Sequence, residues 1–251
     1  MTSTTLHPLE AIDRKLTSGL IVSCQPVDRG PMDNDDTVVR LAKAALAGGA
    51  EGLRIEGAAR LARVRHALPD VPIVGIVKRD LPDSPVRITP LVEDVHALAD
   101  AGADIIAVDG TNRARPTPVI TLIAEIRRLG KIAMGDCSCL RDAEEVYAAG
   151  AAIVGTTLSG YTGGPVPADP DFAFLHALCT RFPRVMAEGR FNTPSHCAEA
   201  RKIGAWAVTV GTAITRTEVV TEWFASAMWP HEQSPVPEYP PGSSEPFDVS
   251  T

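Results

Sequence analysis

Eight short apolar runs recur along the chain, and nearly every one stops at a polar residue or a glycine. They are Leu20 to Cys24 before Gln25, Leu53 before Arg54, Ile73 to Val77 before Lys78, Ile105 to Val108 before Asp109, Ile132 to Met134 before Gly135 and Asp136, Ile153 and Val154 before Gly155 and Thr156, Val185 to Ala187 before Glu188, and Trp206 to Val210 before Gly211. The spacing predicts an α/β fold, a (β/α)8 TIM barrel, with a site assembled at the C-terminal rim where the polar residues fall.

Segments of helical spacing separate the runs. Asp35 or Asp36 is expected to cap a helix through Leu46 that ends at Gly48 and Gly49. Helices follow at Ala58 to Leu68, at Leu91 to Ala101, and at Pro116 to Leu129 with proline in the permitted first turn. Then come Leu140 to Ala149, Asp171 to Phe182, a helix entered through Thr193 as N-cap and Pro194 and running to Ile203, and a last one at about Glu218 to Met228. Strands alternating with helices are most simply joined by parallel pairing and right-handed crossovers. The helix-to-strand joints repeat a Gly-Ala signature at Gly49-Ala50, Gly102-Ala103, Gly150-Ala151 and Gly204-Ala205, where glycine supplies a left-handed cap.

A chain of 251 residues, 45% hydrophobic, can bury one large core, and a single barrel domain over residues 1–229 is expected. Pro230, Pro235, Pro237, Pro240 and Pro241 mark residues 230–251 as a tail, mobile or draped on the surface. The formal charge of −7 and the pI near 5.4 argue against nucleic acid or an anionic membrane as partner, since either needs a basic surface. No apolar run approaches the roughly 20 residues of a membrane span, and Met1 to Leu9 lacks the basic and apolar regions of a signal peptide. Five cysteines without a C-x-x-C pair read as reduced thiols, and the expected location is cytoplasmic.

Several polar residues fall at the predicted rim. Lys78 emerges from an apolar strand near Arg54 of the neighbouring strand; both surroundings lower a lysine pKa, and a neutral amine there can abstract a proton or form a Schiff base. A solvated lysine, or one paired with Asp109 or Glu188, is the alternative. Glu188 ends the seventh strand, either as an acid/base or as a salt-bridge partner of Lys78 or Arg54. Gly189 and the Gly211-Thr212 pair stand after strands seven and eight, where such barrels bind phosphate, although ordinary turn glycines read the same way. His66, His96, His176 and His196 fall on helices and His7 and His231 in the tails, so no metal site is expected at the mouth. Cys137 and Cys139 read as packing residues, and Asp136 as the cap of the following helix or the orienter of a base.

Taken in order, the segments Gly19 to Gln25, Gly52-Leu53-Arg54, Gly75 to Asp80, Ile88-Thr89-Pro90, Gly155 to Thr162, Ala187-Glu188-Gly189 and Gly211 to Arg216 resemble the N-acetylmannosamine-6-phosphate 2-epimerase family. The resemblance covers roughly Gly19 to Trp223. It implies interconversion of N-acetylmannosamine 6-phosphate and N-acetylglucosamine 6-phosphate in sialic acid catabolism. Carried over by position, Lys78 and Glu188 are the catalytic pair, Gln25, Arg54, Asp109 and Arg216 bind substrate, and Gly189, Gly211 and Thr212 bind phosphate. No cofactor is expected, because inversion at C2 next to a C1 aldehyde is proton transfer alone. The turn Met134 to Cys139 departs from the family's usual sequence, and the loop Arg79 to Arg87 lies outside the match. A Schiff-base aldolase or lyase, and a phosphosugar-binding barrel without turnover, are the other readings. The final helix carries Val219, Val220, Trp223, Phe224 and Met228, more apolar surface than one barrel face needs, so a homodimer is expected, with packing on its own barrel as the alternative; members of the family are generally dimers.

Overall fold

A computed structural model describes residues 8–229 and turns each apolar run into a strand: β1 (Gly19–Cys24), β2 (Gly52–Glu56), β3 (Ile73–Ile76), β4 (Ile105–Asp109), β5 (Ile132–Asp136), β6 (Ile153–Gly155), β7 (Val185–Ala187) and β8 (Ala207–Val210). All pair in parallel and in chain order, and β8 returns to β1 to close the ring, with Gly19 opposite Ala207 and Val22 opposite Val210. The tail 230–251 and the two terminal histidines, His7 and His231, lie outside the described residues.

The helices are α1 (Pro8–Leu16), α2 (Asp35–Ala47), α3 (Ala58–Ala67), α4 (Val92–Asp100), α5 (Val119–Arg128), α6 (Leu140–Ala148), α7 (Phe172–Cys179), α8 (Pro194–Ile203), α9 (Thr212–Thr215) and α10 (Thr217–Met228). Several starts differ from the sequence expectation for local reasons. Asn34, not Asp35 or Asp36, caps α2, its side chain accepting the Thr37 N–H. The fifth helix begins at Val119, because Pro118 forces Thr117 away from the helical region and keeps Pro116 outside. Thr193 and Pro194 open α8 as N-cap and first turn. Helix α1 was not anticipated; its Ile12 and Leu16 are buried at the bottom of the barrel with Ile21, Ile132 and Trp206.

At four joints the glycine takes a left-handed φ, from 94° at Gly102 to 107° at Gly204, and the alanine after it donates its N–H to the carbonyl five residues back. That bond satisfies an orphan carbonyl of the helix end and turns the chain straight into the next strand.

Strand parity positions the site. Along each strand one set of residues packs outward under the helices and the alternate set fills the interior. Ile21, Val74, Ile76, Ile105, Ala107, Met134, Ile153 and Met186 make the interior layers, whereas Val22, Leu53, Ile73, Ile106, Ala133 and Val185 pack outward. Counting by two from the interior set reaches Ser23, Lys78, Asp109, Asp136 and Glu188. The upper interior is therefore polar where the lower interior is apolar.

Candidate active site

A cavity of about 490 Å³ opens at the C-terminal rim, and all nine residues singled out in the sequence line it: Gln25, Arg54, Lys78, Asp109, Glu188, Gly189, Gly211, Thr212 and Arg216. Their partners sort them into different jobs.

Arg54, 2% exposed, is the centre of the cluster. Its Nη2 donates to Asp136 Oδ2 at 2.6 Å, and its Nη1 reaches Glu188 Oε2 at 3.0 Å and Asp136 Oδ1 at 3.3 Å. Burial opposes its charge, but the two carboxylates hold its pKa above the ordinary arginine value. Asp136 is therefore not a helix cap. Helix α6 starts after Cys139 without a side-chain cap, and the turn before it is tied instead by Asp142, which accepts from Ser138 N and Oγ. A carboxylate at the inward end of β5 was the available signal, set aside for the helix beside it.

Glu188 follows β7 beside this pair. Burial pushes its carboxyl up to about 7; Arg54 works against the rise and Asp136 adds to it. A carboxyl so placed changes protonation near neutral pH, as an acid/base must. Its backbone is held by the buried Thr156, whose Oγ1 accepts the Glu188 N–H and donates to the Glu188 carbonyl.

Lys78 forms no salt bridge among the described residues, so the pairing with Asp109 or Glu188 that the sequence left open is not made, and its charge reaches Glu188 only at longer range. Burial first, then Arg216 and Arg54, hold its pKa below the ordinary lysine value, with Asp28 and Glu56 opposing. The hairpin after β3 carries it. Lys78 bridges Ile88, Arg79 N donates to Arg87 O, and Thr89 N donates to Val77 O. Alternation then sends Arg79 outward, where its guanidinium grips the buried Asp94 of α4 with contacts of 2.6 to 3.0 Å.

Asp109 lines the cavity but its carboxylate is already engaged. Oδ1 accepts from Thr111 N and Oγ1 and from Arg115, and Oδ2 accepts from Arg113 Nη2 at 2.6 Å. Arg113, which the sequence reading passed over, also lines the cavity and is held there by Asp109 and Thr111. Opposite, Gln25 donates to Ser23 Oγ at 2.6 Å and accepts Arg216 Nε on its carbonyl at 3.1 Å, fixing a cation beside the Gly211-Thr212 turn. Gly189 has φ 98°, a conformation closed to most side chains, and Arg190 follows at φ 64°. Arg190 sits 5.3 Å from the Tyr161 ring centroid and bonds the Asp169 and Ser159 carbonyls, tying the loops after β6 and β7 together.

Cys137 is buried, and burial raises its thiol well above the usual range, whereas Cys139 is exposed, so the packing role holds only for the first. Among the described residues no group of three His, Cys, Asp or Glu side chains is arranged to hold a metal ion, and no helix is long and apolar enough to cross a membrane.

The profile of the family described as "Putative N-acetylmannosamine-6-phosphate epimerase" matches residues 38–229. The chain belongs to this family. A relative from Klebsiella pneumoniae subsp. pneumoniae, named "Putative N-acetylmannosamine-6-phosphate 2-epimerase", is 56% identical over 222 residues, 88% of this chain and 94% of the relative. One of the same name from Proteus mirabilis is 54% identical over 221 residues, 88% of this chain and 95% of its own. The solved structure of the N-acetylmannosamine-6-phosphate 2-epimerase from Clostridium perfringens superposes with a TM-score of 0.83 at 34% identity, covering 86% of this chain and 96% of that one. The chain aligns over nearly the whole length of these relatives.

Proposed function

We propose that Lys78 and Glu188 carry the proton transfers of the family reaction, the interconversion of N-acetylmannosamine 6-phosphate and N-acetylglucosamine 6-phosphate. The chain is an isomerase acting on phosphorylated amino sugars. In the open-chain sugar the C1 aldehyde acidifies the C2 proton, and inversion requires its removal from one face and its return to the other. Lys78, the unpaired amine held below its usual pKa, is the acid/base at C2, and this is the observation that carries the assignment. Glu188 assists ring opening or reprotonation.

The enolate oxygen develops its charge in a cavity lined by Arg54, Arg113 and Arg216, where fixed donors are worth more than in water. Arg54 keeps Glu188 and Asp136 in place, and Asp109 acts through Arg113. The turns at Gly189 and at Gly211-Thr212 bind the phosphate and anchor the substrate while its reacting end changes shape. Proton transfer of this kind needs neither a redox cofactor nor an organic one.

The homodimer and the cytoplasmic location belong to the same reading. Helix α10 has no buried residue and exposes Trp223, Phe224 and Met228, an apolar face suited to a second copy. All five cysteines are free thiols, as a reducing compartment keeps them. Light scattering at micromolar concentration should give twice the chain mass; the monomer mass would remove the dimer. The mechanism is tested by incubating N-acetylmannosamine 6-phosphate with the protein in deuterated water. N-acetylglucosamine 6-phosphate carrying deuterium at C2 is the expected product. A Lys78→Ala variant exchanging the C2 proton at the native rate would overturn the assignment, and a lysine adduct trapped by borohydride would point to the aldolase chemistry instead.

A further inference from the structure

Strand β6 runs into two adjacent threonines, of which Thr156 holds the backbone of Glu188. Thr157 lines the cavity, and its hydroxyl donates to Asp136 Oδ1 at 2.6 Å. The same hydroxyl acts on the Glu188 carboxylate, favouring its ionised form against the opposite push of burial. Arg54 bridges the same two carboxylates from the other side.

The donor and acceptor inventory sets this hydroxyl apart. Arg54 can only donate, and an ionised carboxylate can only accept; a hydroxyl does both. While Glu188 is ionised, two anions share Arg54 and the single proton of Thr157. Once Glu188 takes up a proton, Thr157 goes on donating to Asp136, and Asp136 goes on accepting from Arg54. Neither state requires Arg54 or Asp136 to move.

We infer that Thr157 is a positioning residue for the epimerisation, its hydroxyl keeping Asp136, Arg54 and Glu188 in one arrangement through both protonation states of Glu188. The inference rests on the reading that Glu188 takes part in proton transfer.

Thr157→Val removes the hydroxyl and keeps the branched shape, while Thr157→Ser keeps the hydroxyl. In the valine variant kcat should fall about tenfold, the scale of one hydrogen bond to a charged group, with KM within about twofold of the native value because the group does not hold substrate. Loss of a contact that favours ionised Glu188 should also move the limb of the pH–rate profile belonging to Glu188 upward, whichever protonation state the step requires. Thr157→Ser should restore both. A native kcat and an unmoved limb in Thr157→Val would overturn the inference. Should the valine variant melt below the assay temperature, Thr157→Ala, which places no methyl groups beside the carboxylates, gives the same two readouts. Glu188→Gln is assayed alongside. Native activity there would remove Glu188 from the reaction, whereas loss of activity there with an unaffected Thr157→Val refutes the role of Thr157 alone.

Discussion

The two ends of the barrel treat charge in opposite ways. At the N-terminal end, Arg184 meets Asp13 through two parallel hydrogen bonds of 2.8 and 2.6 Å, and Arg65 meets Asp104 at 2.6 Å while also holding loop carbonyls. Each is a one-to-one pair of partly exposed side chains joining chain segments that must lie together. At the C-terminal end Arg54 is buried and divided between two carboxylates, while Lys78 is desolvated without a salt-bridge partner among the described residues. Pairing that neutralises a charge fixes structure; pairing left incomplete leaves a charge available for chemistry. The same side-chain types serve either purpose, and depth along the barrel axis decides which.

The largest contrast is expected at Lys78. Lys78→Ala should lower kcat by on the order of a thousandfold or more, as for loss of a positioned general base, without lowering the melting temperature, because no ion pair is broken. Arg54→Met is the reverse case. It leaves Asp136 and Glu188 buried beside each other without their cation, and should cost about 3–5 kcal/mol in urea unfolding as well as activity. The pH–rate profile follows. A carboxyl pushed up to about 7 is protonated below that pH and ionised above it, so the native enzyme should show a limb near 7 that Glu188→Gln abolishes.

The smallest effect belongs to the lower end. Hydrogen bonding to Arg184 lowers the pKa of Asp13 although burial raises it, and Trp206 Nε1 adds a third contact at 3.1 Å. A lowered carboxylate contributes stability that is present above the ordinary aspartate range and is lost as the pH falls through its folded value. Asp13→Asn should cost less than about 1 kcal/mol at neutral pH, with the difference from native vanishing in acid and kcat unchanged. A loss of activity comparable to that of Lys78→Ala would show that the two ends are coupled.

Much of this was legible from the chain. Runs stopping at polar residues encode both the strands and their inward ends, so Lys78, Glu188 and Arg54 could be placed at a common rim before any coordinates. What parity does not encode is which charges meet. Asp109 and Asp136 stand at equivalent ends of β4 and β5, yet the first is occupied by Arg113 and Arg115 from its own loop while the second takes Arg54 from across the barrel. The sequence Gly135-Asp136-Cys137-Ser138 before a helix fits a cap just as well, and only the interior position of Asp136 excludes it. Arg113, Arg190 and Thr157 were missed because loop residues carry no periodicity to mark their direction. Helix α1, by contrast, had a readable pattern in Leu9, Ile12 and Leu16.

The seam between β1 and β8 and the reach of Arg54 together set an order of events for a chain returning from denaturant. Arg54 finds Asp136 across 82 positions of sequence and Glu188 across 134, and the turns at Gly189 and Gly211 arrive only with the last two strands. No half-built barrel holds the cluster. Helical signal can recover early, since the α3, α4 and α5 contacts are local, but turnover must wait for the slow, long-range step that brings Ala207 beside Gly19. Regained epimerase activity is in this sense a clock for the closing of the ring.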